Sequence, residues 1–183
     1  MTNRTALIWI LGGLAAMLVI GRRKGNAPAI GGMGDVPERV EGIPTGRTAE
    51  DIKKRREIVI DEYTKLCNRL QGKGVYNQCL GETIKVKFKH GGKKATNNAV
   101  KMWQNTYAIK HLEEVLSGAV LEGEKIELLP PKDGNQRRLG YVGVFKMYYT
   151  FQNEKPYLNF RVEVVVGVTK NENKYEYSVE MTA

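Results

Sequence analysis

His90 stands between a lysine alternation and a glycine pair, in the run Lys85-Val86-Lys87-Phe88-Lys89-His90-Gly91-Gly92-Lys93-Lys94. In an extended strand, Lys85, Lys87 and Lys89 share one face and Ile84, Val86 and Phe88 the other. A glycine pair just ahead of a helix can turn successive backbone N–H groups toward an anion. Lys85, Lys87, Lys89, Lys93 and Lys94 are therefore the candidate phosphate contacts. A metal-independent ribonuclease needs a base for the 2′-hydroxyl, an acid for the leaving oxygen and cations for the phosphorane charge. His90 or His111 are the candidate bases, Arg137 and Arg138 candidate cations, and Tyr148 a candidate donor. Each also has a plain structural reading. The lysines can be a solvated face or a guard on a sheet edge. His111 falls beside the apolar stripe of a helix, Tyr148 within a strand, and the arginine pair in a polar loop. No paired carboxylates, nucleophile elbow or zinc spacing accompanies them, so no metal or cofactor is expected. Cys67 and Cys79 sit in no ligand pattern; Cys67 reads as a buried thiol on a helix.

The charge distribution sharpens the first pattern. The chain has 183 residues and a formal charge of +9. Residues 82–111 hold 7 Lys+Arg against 1 Asp+Glu, whereas residues 112–183 hold 9 against 11. The basic excess is thus local, and a local excess suits a phosphate-bearing partner, nucleic acid or lipid headgroup.

These side chains must be positioned by what flanks them. Residues 98–122 show Ala108, Leu112, Val115, Leu116 and Ala119 at helical spacing, extended by Val100, Trp103 and Tyr107. Thr96, Asn97 and Asn98 offer N-caps, and Gly123 a C-terminal stop. A first helix is expected over residues 49–71, with Glu50 and Asp51 in its opening turn and Lys53, Lys54, Arg55 and Arg56 on an outer face. Strands are expected at 83–90, 125–129, 141–151, 158–169 and 175–181, the longest with alternating valines. Short turns between the later strands predict an antiparallel meander. The expected fold class is α+β: two helices packed on an antiparallel meander sheet of four to five strands, in a domain over residues 47–183 with its core in 82–183.

Residues 6–20 carry no charge, and with Thr5 and Gly21 make a run of 17 residues followed by Arg22-Arg23-Lys24. A helix of that length reaches about 25 Å, the short end for a bilayer span. The basic triplet on the C-terminal side predicts a single-pass anchor in lipid through residues 5–21, with the following domain on the cytoplasmic side or inside a virion membrane. Residues 25–46 are rich in glycine and proline and read as a flexible tether.

A strand, a loop with His90, a helix ending HLEEVLSGAVLE, and strands reading YVGVFKMYYTF, YLNFRVEVVVGV and KYEYSVEM follow in order. This order resembles the small α+β domains of large polyvalent proteins in phages and mobile elements. Some of those belong to the barnase/EndoU/colicin/RelE-like ribonuclease group. The resemblance covers residues 83–183. It implies a phage or mobile-element protein, and the anchor a virion membrane component.

Three functions follow as expectations. The first is a membrane-tethered structural or interaction protein with protein partners, a second copy of itself among them. The second is a ribonuclease-like effector. The third is a module that holds nucleic-acid or lipid phosphate on the lysines.

Overall fold

The computed structural model describes residues 36–182; the expected anchor, its basic flank and the first part of the tether lie outside them. Among the described residues no helix is long and apolar enough to cross a membrane.

The described chain opens with a two-residue hairpin, β1 (Arg39–Val40) and β2 (Ile43–Pro44), turning at Glu41 and Gly42, both at positive φ. Val40 and Ile43 are buried in the main core. The last residues of the glycine/proline stretch are therefore part of the packed domain and not of a tether. The helix α1 (Ala49–Leu70) starts where the acids predicted. Thr48 Oγ1 accepts from Asp51 N–H at 3.1 Å and Asp51 Oδ2 accepts from Thr48 N–H at 3.1 Å, a reciprocal cap. The helix ends at Gln71 and Gly72, both in the left-handed region.

Arg55 corrects the reading of α1's outer face. It is 1% exposed and donates to the carbonyls of Val100 (2.9 Å), Pro44 (2.8 Å) and Gly46 (2.6 Å). A guanidinium can leave water when its donors are all taken by carbonyls held in a fixed fork.

The sheet holds five strands: β3 (Val75–Asn77), β4 (Glu82–Lys85), β5 (Tyr141–Phe151), β6 (Phe160–Thr169) and β7 (Lys174–Met181). Their order is β3-β4-β7-β6-β5. β5, β6 and β7 form the expected antiparallel meander, but β4 pairs parallel to β7 through Ile84↔Lys174 and Lys85↔Tyr175. The sheet is therefore mixed, not a pure meander. Residues 125–129 do not form a strand; only Leu129 pairs, with Val144 at the β5 edge. The strand expected at 83–90 stops at Lys85, and Phe88–Gly92 coil into a π-helical turn.

The long helix expected over 98–122 is broken. It becomes α2 (Lys93–Ala99), α3 (Trp103–Lys110) and α4 (Leu112–Gly118). Met102 is extended, which frees the Val100 carbonyl for Arg55. At His111 the helical bonding continues, with His111 N–H to Tyr107 O at 3.1 Å and Val115 N–H to His111 O at 3.0 Å. The apolar stripe itself is as read, since Ala108, Leu112, Val115, Leu116 and Ala119 are all buried against one sheet face. That face is covered by α1, α3 and α4. The other is covered near β5 by residues 129–140, which include a short helix α5 (Gly134–Arg138) where a plain loop is expected. There Tyr141, Val144, Tyr175 and Tyr177 form a second, smaller core.

Candidate functional site

β4 leaves the sheet after Lys85, so most of β7 has no strand on that side. The π-helical turn and α2 pack along this open edge. An element seated on an edge can reach both faces of the sheet. Gly91 faces the main core, where a Cβ would overlap the Glu176 carboxylate and the Tyr63 hydroxyl. His90 and Lys94 reach the opposite face.

There His90 stacks on Tyr175, with ring centroids 4.3 Å apart and planes 14° off parallel. Its Nδ1 lies 2.8 Å from the Tyr141 hydroxyl. Lys87 Nζ stands 5.2 Å, and Lys85 Nζ 5.9 Å, from the Tyr175 ring centroid. Lys94 Nζ stands 4.3 Å from the Tyr177 ring. Lys85 also donates to Asn173 Oδ1 at 2.8 Å. The Tyr177 hydroxyl donates to Asp133 Oδ2 at 3.0 Å and accepts from Asn135 Nδ2 at 3.2 Å, tying the start of α5 to this side. The candidates His90, Lys85, Lys87 and Lys94 thus converge on two tyrosines of β7. Lys89 is exposed next to them, and Lys93 is the first residue of α2.

Electrostatics follow from this packing. Burial, with Lys87 and Lys89 nearby, lowers the pKa of His90. Burial, with Glu176 and the neighbouring Tyr177 and Tyr175, raises that of Tyr141, which stays a phenol. Burial acts against the Asp133 carboxylate, but the Gln136 N–H, the Tyr177 hydroxyl and the Lys94 charge outweigh it and hold its pKa low.

The remaining candidates lie elsewhere. His111 sits at the α3–α4 joint with Nε2 3.1 Å from Glu41 and Nδ1 3.5 Å from Glu114, and its ring centroid is 4.4 Å from that of Tyr107. Its Nε2 fastens the β1–β2 hairpin through Glu41 and its Nδ1 faces Glu114 of α4, so its ring is engaged away from His90. Tyr148 is seven residues along β5 from Tyr141, about 23 Å at ~3.3 Å per residue. Its ring carries the Arg161 guanidinium at 4.0 Å. Arg137 and Arg138 are exposed on α5, and no hydrogen bond or ion pair among the described residues ties them to His90. His111 and Tyr148 are therefore not assembled with His90. Cys67 and Cys79 are both free, Cys67 half-buried and Cys79 exposed. Among the described residues no group of acids, histidines and cysteines could hold a metal.

Sequence reasoning missed Tyr141, Tyr175, Tyr177 and Glu176. The tyrosines read only as apolar strand positions. Glu176 read as a solvent-facing alternate of β7, yet it is fully buried and accepts from the Tyr63 hydroxyl, while its Oε1 has no hydrogen-bond partner. Register explains this. Val165 pairs with Ser178 and Val166 with Glu176, so Tyr177 is an extra residue and the alternation shifts at that bulge. Comparison with known protein families, curated proteins and solved structures gives no match.

Proposed function

We propose that the protein is a membrane-tethered binding module whose α+β domain holds the phosphates of a nucleic-acid backbone on the lysines around His90. One observation supports this most. Lys85, Lys87, Lys89 and Lys94 form no ion pair among the described residues, as is true of other lysines such as Lys53 and Lys101, but these four are gathered around His90. Three of these four are held beside tyrosine rings, which order a cation without neutralising it. Cations positioned in this way, one of which, Lys94, also acts on the carboxylate of Asp133, suit an anionic partner better than a solvated surface. The separation of His111 and Tyr148 from His90 favours binding over cleavage.

The test is binding of the full-length chain in detergent to a short fluorescent RNA across a salt series. Four neutralised phosphates predict a slope of log affinity on log salt of about −3, and substituting Lys85, Lys87 and Lys89 by Gln reduces it to about −1. Binding that ignores salt, or that the triple variant keeps, overturns the reading. Attachment to anionic vesicles without RNA binding moves the partner to lipid. Cleavage of the RNA moves the protein to the ribonuclease class.

A further inference from the structure

We propose that Tyr141 holds His90 in its neutral Nε2–H form, so that His90 donates a hydrogen bond to a phosphate oxygen and does not act as a base. This rests on the phosphate-binding reading above and assigns His90 its role within it.

The geometry carries the assignment. The only hydrogen bond of the Tyr141 hydroxyl among the described residues is to His90 Nδ1, at 2.8 Å. A phenol donates to an imidazole nitrogen more readily than it accepts from one, because its proton is acidic and the ring lone pair basic. Nδ1 then carries the lone pair and the ring proton sits on Nε2. The ring cannot swing to exchange the two nitrogens freely, since it lies flat on Tyr175 at 4.3 Å and follows directly on Phe88 and Lys89 in a tight π-helical turn. That turn is locked by Gly91 against Tyr63 and Glu176.

The groups around the imidazole act in the same sense. Burial, then the charges of Lys87 just before its turn and Lys89 within it, disfavour a second proton. Burial, with Glu176 and Tyr177 behind it, presses Tyr141 on β5 to keep its proton. A neutral ring whose outer nitrogen already bears hydrogen offers no lone pair to a 2′-hydroxyl. It does offer a donor to an oxyanion, beside two cations that bring that oxyanion in.

The experiment uses full-length protein with nitrogen-15-labelled histidine, in detergent, and a fluorescent oligouridylate as probe. Long-range proton–nitrogen correlation spectra are expected to show His90 with a bare Nδ1 and a protonated Nε2. Tyr141→Phe, which keeps the ring in its core, is expected to mix the two tautomers and weaken RNA binding about five-fold. His90→Gln retains a donor amide and is expected to bind within about two-fold of wild type, while His90→Ala loses about ten-fold or more. An Nδ1–H tautomer in the free protein, or H90Q as weak as H90A in a folded chain, overturns the inference and leaves the lysine site standing. Absence of RNA binding by the wild type overturns the phosphate reading and the donor role with it.

Discussion

Glu176 is the residue whose chemistry differs most from its place in the sequence. It is fully buried between β7, Tyr63 and Gly91, and burial raises its pKa to about 7. Its proton is therefore held more tightly in the folded chain than in the unfolded one, where a carboxyl titrates near 4. Below that lower value both states are protonated and folding suffers no penalty. As pH rises from about 4.5 to 7 the unfolded state ionises first, and stability falls by about 3 kcal/mol before levelling off. Urea unfolding across this range is expected to show that loss in the wild type and to show it flattened in Glu176→Gln; parallel curves would place the pH dependence elsewhere. Arg55 is the counterpart on α1. Arg55→Ala leaves the carbonyls of Val100, Pro44 and Gly46 without their charged donor, and a loss of about 3–4 kcal/mol is expected in chemical denaturation.

At the scale of the element, the turn Phe88–Gly92 decides whether a site exists. A π-helical turn is uncommon, and here it is permitted by Gly91, which lets the backbone approach Glu176 of β7, and by Gly92, which leaves room for the Phe88 ring. Gly91→Ala forces a methyl group into the Tyr63–Glu176 contact. It is expected to cost about 2–3 kcal/mol in thermal unfolding and to weaken RNA binding as His90 shifts off Tyr175. An unchanged melting temperature would show that this turn can move without consequence. The break between α2 and α3 is also hidden from periodicity. The apolar residues on both sides of it keep helical spacing, so periodicity reads one helix. At the interruption Met102 is extended and the Val100 carbonyl is taken by Arg55 of α1.

For the whole molecule, the question is where the folded domain begins. Val40 and Ile43 lie in the main core, and the hairpin that carries them is fastened by Glu41 to Lys110 at 2.9 Å and to His111 at 3.1 Å. A chain begun at residue 47 loses both side chains and two of Arg55's acceptors. It is expected to be less stable than one begun at residue 36 by about 4 kcal/mol, at roughly 2 kcal/mol for each buried aliphatic side chain. Equal denaturant midpoints for the two truncations would show that the hairpin contributes nothing.

The sequence by itself determined the α+β class, the capped start of α1, the apolar stripe of residues 108–119, and the strands β5, β6 and β7. All of these are set by side-chain periodicity within a short window, where the chain's own geometry decides which residues share a face. It also marked the lysine run and His90 as candidates, because charge and glycine spacing are local. Only the tertiary structure decided that β4 enters the sheet parallel to β7, that Arg55 and Glu176 are buried, and that His90 meets Tyr141 and Tyr175 from 51 and 85 residues away. Each of these depends on which strand edge is left open and on one bulge in β7. Such long-range choices are settled by closing the whole core at once, and no local pattern in the chain records them.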